Sequence, residues 1–209
     1  MKQDNYQKMR DQMRVRFLDY DQEEMIQKFN LKSDENYLYI WFCGCDYRIS
    51  RTSGVVEWSE DQFLSCTEGG FNESMTIYDV LCCSKPDCHL SGEYMMSSGL
   101  QNVAHTGWSA GSRGMFSKYA PIFEKDMDRL KQACVTLGGV QSGRGDVAYR
   151  IPLFEFLPVQ FAFWQSDEDF PAEVQLLWDK NVLDYMHYET LWYAAGHLMK
   201  RLEELIWMR

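Results

Sequence analysis

The chain has 209 residues, a formal net charge of −10 and 45% hydrophobic residues, which is enough apolar material for a sizeable core. An acidic chain lacks the clustered Lys and Arg that neutralise phosphates, so we expect no nucleic-acid partner. No apolar run reaches the length of a membrane span, and the first residues are too polar for a signal peptide. These features predict a cytoplasmic protein without a membrane partner and leave its oligomeric state open.

The seven cysteines do not have the spacing of a metal site. In a cytoplasmic chain they are expected to be reduced, and their odd number leaves at least one without a disulfide partner. The soft-ligand candidates are three pairs: Cys43 with Cys45, Cys82 with Cys83, and Cys88 with His89. None has the Cys-x-x-Cys spacing of a zinc knuckle, and adjacent cysteines on a helix point in different directions. We predict mostly buried, metal-free thiols, and we assign no cofactor.

The first third of the sequence predicts two helices followed by a meander of strands. Apolar residues recur every three or four positions over 5–17, and Asp21 with Glu24 resembles a capping box that begins a second helix. Runs rich in Tyr, Ile and Trp then alternate with glycine-containing turns, which is typical of a short antiparallel meander. Its strands are predicted at 36–42, 47–49 and 55–58.

The remaining sequence predicts further helices and a second sheet. Helical spacing covers 74–83 and again 116–137, where Gly138 and Gly139 are placed to end the helix. A glycine-rich irregular segment that reaches about Gly114 separates the two helices. A second antiparallel sheet is predicted with strands at 147–156, 159–164 and 173–178. A final helix is predicted at 188–207.

Strand runs and helix runs are separated in this sequence, whereas a parallel sheet would require strict alternation. We therefore predict an α+β fold in which N-terminal and C-terminal helices pack on antiparallel sheets. We expect a single domain over 1–209, with 1–70 as the candidate for an N-terminal sub-lobe. The strands at 159–164 and 173–178 should pair antiparallel, because their short connection cannot house a parallel crossover.

A compact acidic turn lies between these two strands. It contains Asp167, Glu168 and Asp169, it is closed by Phe-Pro, and Trp164 precedes it. The next strand ends in a Trp-Asp pair at 178–179.

This layout, together with four further motifs, resembles a microbial family named domain of unknown function 3786. The motifs are Thr-Ile-Tyr-Asp-Val-Leu at 76–81, Leu-Ser-Gly-Glu at 90–93, Leu-Gly-Gly at 137–139 and Gly-Asp at 145–146. The resemblance implies an uncharacterised bacterial domain that is sometimes fused to an iron-sulfur cluster domain. It also implies an association with anaerobic corrinoid or iron-sulfur metabolism.

Two interpretations of the acidic turn stay open. Carboxylates held close together raise one another's pKa or recruit a hard cation, and Asp179 is predicted to complete an acidic pocket with them. In the other interpretation the turn is a solvated hairpin loop whose Asp side chains cap backbone amides. Trp164 and Trp178 likewise either present flat faces to a planar ligand or pack in the core.

A second candidate loop is Ser-Gly-Arg-Gly-Asp at 142–146, where exposed amides and Arg144 resemble an anion-binding loop. It lacks the lysine and the following helix of a phosphate loop, and a tight turn explains the same residues. The segment at 109–114 has a similar composition. His105, His187 and His197 are scattered and have no nucleophile at a catalytic spacing.

The sequence favours a binding module for a small molecule or a protein partner. The candidate ligand-binding residues are Asp167, Glu168, Asp169, Asp179, Trp164 and Arg144. The alternative is an enzyme in which Asp167, Glu168 and Asp179 hold a cation or exchange protons. In that alternative, Arg144 orients an anionic substrate. The sequence does not decide between these two functions.

Overall fold

The computed structural model describes residues 5–100 and 116–208. It contains two antiparallel sheets and helices near both ends of the chain, which confirms the α+β fold. The chain divides into two compact units, described separately below: Met1–His89 with Asp184–Ala194, and Leu90–Leu183 with Ala195–Arg209. The single domain over 1–209 stays a prediction.

The first unit begins with helices α1 (Asn5–Phe17) and α2 (Gln22–Phe29), which confirms both predicted helices. Asp21 caps α2 because its Oδ1 accepts the amide N–H groups of Glu23 and Glu24 at 2.9 and 3.1 Å.

A five-stranded antiparallel meander follows these helices. Its strands, in sheet order, are β1 (Lys32–Ser33), β2 (Tyr37–Phe42), β3 (Cys45–Ser50), β4 (Val56–Ser59) and β5 (Thr67–Glu68). Alternate residues of β2 are buried, since successive side chains of a strand point to opposite faces. The three predicted strands are confirmed as β2, β3 and β4. The two edge strands were not predicted, because two residues are too few to show a period.

Helix α3 (Phe71–Cys83) carries the Thr-Ile-Tyr-Asp-Val-Leu motif and is buried throughout residues 76–81. The Tyr78 hydroxyl donates a hydrogen bond of 2.6 Å to the Gly54 carbonyl in the turn between β3 and β4. The ring of Tyr78 also lies beside that of Phe17 of α1, with 6.0 Å between centroids. These contacts fix α3 against both α1 and the meander.

The second unit contains the other sheet. Its strands, in sheet order, are β6 (Tyr94–Met96), β10 (Glu173–Asp179), β9 (Leu157–Trp164), β8 (Val147–Phe154) and β7 (Val140–Gln141). Strands β9 and β10 pair antiparallel with Glu173 opposite Trp164, which confirms the predicted hairpin. A short 3-10 turn, Ser97–Gly99, follows β6.

The helix predicted over 116–137 is two helices, α4 (Ala120–Lys125) and α5 (Met127–Thr136). The single-helix prediction is wrong because Asp126 leaves the helical conformation, with φ −149°, and its carboxylate caps the Arg129 amide at 3.0 Å. The predicted end is correct: Gly138 is left-handed, and the Gly139 amide bonds to the Cys134 carbonyl at 2.8 Å.

The last helix, α6 (Tyr188–Trp207), has the predicted bounds, and the division between the two units falls within it. A 3-10 turn, Val182–Asp184, precedes it. The candidate loop at 109–114 and His105 lie outside the described residues.

Candidate functional site

A buried carboxylate on α3 organises a cluster of polar side chains in the first unit. Asp79 Oδ2 accepts hydrogen bonds from the His187 backbone amide at 2.8 Å and from the Thr190 hydroxyl at 2.6 Å. Asp79 Oδ1 lies 2.6 Å from Nδ1 of the His187 ring. The Cys83 sulfur lies within 4.8 Å of this carboxylate. Three hydrogen bonds therefore hold Asp79 in place beside a thiol.

Local structure explains why these side chains meet. Asp79 and Cys83 are four residues apart on α3, so their side chains share one face of the helix. His187 immediately precedes α6, and the first amides of a helix have no partner within it. The Asp79 carboxylate satisfies such an amide and also interacts favourably with the positive end of the helix dipole.

The resulting cluster consists of Asp79, Cys83 and His187, and we call it the Asp-Cys-His cluster. Each residue offers one ligand atom, and these atoms lie within 4.8 Å of one another. Over residues 5–100 and 116–208, no other group of three or more His, Cys, Asp or Glu side chains meets this criterion. The Asp79 side chain is 11% exposed and that of His187 is 69% exposed. The cluster therefore has a buried carboxylate at its base and an imidazole facing solvent.

The electrostatic environment keeps the Cys83 thiol protonated when no cation is present. Burial and the charge and hydrogen bond of Asp79 raise the pKa of Cys83 to about 11, although the Tyr20 hydrogen bond and Arg16 act in the opposite direction. A nucleophilic cysteine needs the reverse, a pKa lowered toward neutrality. The cluster thus does not resemble an activated cysteine nucleophile, whereas its three donor atoms are those of metal ligands.

Sequence reasoning missed this cluster. It paired Cys83 with its neighbour Cys82 and left His187 among the scattered histidines. The one local signal was the spacing of Asp79 and Cys83 on a predicted helix. The third member is 108 residues from Asp79, and no short pattern links the two.

The acidic turn has the geometry of a capped hairpin loop. Asp167 Oδ1 accepts the amide N–H groups of Asp169 and Phe170 at 2.9 and 2.7 Å, and the Asp167 amide donates to the Phe170 carbonyl at 2.9 Å. Asp167, Glu168 and Asp169 are all exposed. This is the arrangement of the capping interpretation, while ligand binding at the turn stays a prediction.

The structure does not bring Asp179 to the acidic turn, so the expected acidic pocket is wrong. The turn joins β10 at Glu173, and Asp179 is the last residue of that strand. Six residues of extended chain separate the two positions by about 20 Å.

Asp179 instead anchors the Leu-Ser-Gly-Glu turn that precedes β6. It is fully buried, and its carboxylate accepts the amides of Ser91, Gly92 and Asn181 at 2.8–3.0 Å and the Ser91 hydroxyl at 3.0 Å. Burial raises the pKa of Asp179, but these hydrogen bonds outweigh burial and hold the pKa below its usual value. Two of the motifs that carry the family resemblance are therefore partners of each other.

Trp164 and the loop of Arg144 do lie at the same end of the second sheet as the acidic turn. Trp164 ends β9, and Asp146 joins the loop at 142–146 to this end by accepting the Gln165 amide at 2.8 Å. Arg144 is exposed in that loop. Trp178, by contrast, is 3% exposed and packs in the core. The structure therefore places Arg144, Trp164 and the acidic turn near one end of the second sheet.

All seven cysteines are reduced thiols, as predicted. The expectation that most of them are buried is wrong, because only three are buried: Cys43, Cys45 and Cys134. Cys82, next to Cys83, has a pKa raised to about 12, mainly by burial.

Comparison with known proteins identifies a family. The family model described as Domain of unknown function (DUF3786) matches residues 21–201, which is most of the chain. No curated protein and no solved structure matches the sequence. Among the helices in the described part of the chain, none has the length and apolar character required to cross a bilayer.

Proposed function

The chain belongs to the DUF3786 family, and we propose that it is a binding module for a divalent transition-metal ion held by the Asp-Cys-His cluster. The observation that carries this proposal is the convergence of a carboxylate, a thiol and an imidazole within 4.8 Å. Thiolate, imidazole and carboxylate are the three side-chain ligand types of zinc sites.

The donor set selects the class of ion. Calcium and magnesium require oxygen ligands, in larger number or with several bound waters. Thiolate and imidazole together suit zinc, iron, cobalt or nickel. The proposed ion is therefore a divalent ion of one of these four metals.

Asp79 has a double role in this proposal. In the metal-free protein it accepts a hydrogen bond from the His187 ring and lies within 4.8 Å of the Cys83 sulfur. A bound ion would take the place of the protons on Nδ1 and Sγ, while the Thr190 hydroxyl and the His187 amide keep the carboxylate oriented. Such hydrogen bonds to a ligand are the usual outer-shell support of a metal site.

This proposal retains the binding module favoured by the sequence, but it places the binding site on α3 and at the start of α6. The association with corrinoid or iron-sulfur metabolism and the cytoplasmic location remain proposals that rest on the resemblance and the composition. The enzyme alternative has less support, since Asp179 is distant from Asp167 and Glu168. The acidic turn, Trp164 and Arg144 remain a second candidate surface for a small molecule or a protein partner.

Zinc binding at equilibrium tests the proposal. Purified protein is stripped with a chelator, dialysed against buffered Zn²⁺ and assayed for bound metal by elemental analysis. We expect one ion per chain, with an affinity lowered at least about 100-fold in Cys83→Ser and in His187→Gln, because each removes a ligand.

The chain supplies matched controls for both variants. Cys82→Ser makes the same chemical change one position earlier on α3, about 100° around the helix. His89→Gln makes the same change at another exposed histidine. Both controls should bind zinc like the wild type. Zinc binding that is absent in the wild type, or that is lowered equally by Cys82→Ser and Cys83→Ser, would refute the proposal.

A further inference from the structure

Resting on the proposed metal site, we infer that the bound ion keeps one coordination position toward solvent and takes a small anion there. The ligand class is a monoanionic donor such as a thiolate or a carboxylate. The protein would then hold a metal ion that itself binds an exogenous ligand, rather than a closed structural ion.

The number of protein donors supports an open position. Structural zinc sites are closed by four protein ligands, whereas sites that act on a bound molecule have three and keep the fourth position for water or ligand. In the described ranges 5–100 and 116–208, the cluster contains three donor residues. The His187 side chain is 69% exposed, so solvent reaches the cluster at this ligand.

A divalent ion bound by the Asp79 carboxylate and the Cys83 thiolate has no net charge, so a further anionic ligand makes the centre negative. The positive charge of Arg16, an exposed residue in the last turn of α1, lowers the pKa of the Cys83 thiol and so favours negative charge at the cluster. Arg16 can therefore compensate the charge of the added anion.

A phenol also acts on the Cys83 sulfur. The Tyr20 hydrogen bond lowers the pKa of the Cys83 thiol, in the same direction as the charge of Arg16. A phenol beside the thiolate can donate to that sulfur or to a ligand bound next to it. Arg16 and Tyr20 therefore both favour negative charge at the cluster, which suits an anionic ligand better than a neutral one.

Azide binding to the cobalt-loaded protein tests the inference. Co²⁺ bound to a thiolate gives a sulfur-to-metal charge-transfer band, which reports on Cys83, and its ligand-field bands report on the other coordination positions. We expect azide to change the ligand-field bands saturably at constant ionic strength, with the charge-transfer band retained. Arg16→Gln, compared with the wild type at saturating Co²⁺, should bind azide several-fold more weakly. Lys8→Gln, the same charge change at an exposed position nearer the start of α1, should bind azide like the wild type.

The outcomes separate this inference from the metal proposal. Absence of the charge-transfer band in the wild type refutes the metal site itself. A charge-transfer band with ligand-field bands that azide leaves unchanged refutes the open position while metal binding stands. Equal azide affinities in Arg16→Gln and Lys8→Gln refute the assigned role of Arg16.

Discussion

Two buried aspartates illustrate how differently the same residue type is used. Asp179 is saturated by the amides and hydroxyl of nearby turns, and none of these partners is a metal ligand. Asp79 accepts a hydrogen bond from an imidazole, and a thiol lies within 4.8 Å of it. Both carboxylates satisfy the rule that a buried charge needs hydrogen-bond partners. The chemistry of those partners separates a structural anchor from a candidate site.

Replacing Asp179 by Asn should destabilise the second unit without affecting metal binding. The amide group of Asn cannot accept the full set of N–H and O–H donors, so buried donors lose partners. We expect the free energy of unfolding to fall by about 1–3 kcal/mol in urea denaturation. Asp169→Asn, in the exposed acidic turn, is the control and should change stability little. Equal effects of the two substitutions would contradict the anchoring role.

Two substitutions of Asp167 in the acidic turn separate the stabilisation due to its hydrogen-bond cap from that due to its negative charge. Asp167→Asn keeps the oxygen that accepts the Asp169 and Phe170 amides, whereas Asp167→Ala removes it. Thermal denaturation should therefore show that the Ala variant is less stable than the Asn variant. If both variants lose stability equally, the negative charge rather than the cap is the stabilising feature.

His197 should make stability dependent on acid pH. Burial lowers its pKa to about 3, with Arg201 and Lys200 acting in the same direction. In the unfolded chain His197 has the ordinary pKa of about 6.5, so above that pH it is neutral in both states and the free energy of unfolding does not depend on it. As the pH falls from about 6.5 to 3, only the unfolded chain binds the proton, and the free energy of unfolding falls by about 1.4 kcal/mol per pH unit.

His197→Gln provides the comparison. Urea denaturation at a series of pH values should show a shallower slope between pH 6.5 and 3 in this variant, because Gln does not titrate. The absolute stability of the variant is not the readout, since it also changes packing. Parallel pH profiles of the wild type and the variant would show that His197 does not titrate in this way.

At the scale of secondary-structure elements, periodic segments were the most predictable part of the fold. The bounds of α1 and α6 follow from their apolar spacing. The break at Asp126 was missed because the apolar pattern continues through it, while the capping preference of one Asp interrupts the backbone. Strand β6 was missed since three residues within an irregular segment have no period of their own.

The turn between β3 and β4 packs closely against α1 because one of its residues is a glycine. Gly54 has φ +70°, and a Cβ there would overlap the Arg14 carbonyl oxygen of α1. Gly92 has a similar φ of +77° but open space around its Cα. Both positions favour glycine, and only the first also excludes a side chain by contact.

Gly54→Ala should therefore destabilise the protein more than Gly92→Ala. Each substitution carries the cost of a left-handed conformation, about 1–2 kcal/mol. The first adds a steric clash with backbone atoms, which must shift α1 or the turn. Urea denaturation of the two variants measures the difference. Equal losses of stability would mean that α1 moves away without cost.

At the scale of the whole molecule, the sequence predicted the α+β class and both sheets, but not the candidate site. Hydrophobic periodicity is a local signal, and it is sufficient to place helices and strands. The Asp-Cys-His cluster depends on the packing of α3 against the start of α6, which no local pattern encodes. The acidic turn was a candidate because its charges are adjacent in sequence. Its Asp167 side chain, however, accepts hydrogen bonds from backbone amides of the same turn.

Zinc should stabilise the folded chain if the cluster binds it. An ion that binds the native state and not the unfolded state raises stability by about 2.7 kcal/mol at one hundred times its dissociation constant. Thermal unfolding with added Zn²⁺ should shift upward in the wild type and in Cys82→Ser, and it should stay unchanged in Cys83→Ser. A shift that is equal in all three proteins would indicate binding elsewhere.

X-ray absorption at the zinc edge tests the central claim most directly, because it identifies the atoms bound to the ion. For the zinc-loaded wild type, the Asp-Cys-His cluster predicts a single sulfur neighbour at about 2.3 Å and nitrogen or oxygen neighbours at about 2.0–2.2 Å. In Cys83→Ser the sulfur contribution should disappear, whereas in Cys82→Ser it should remain. A zinc ion without a sulfur neighbour in the wild type, or a sulfur signal retained in Cys83→Ser, would contradict the account.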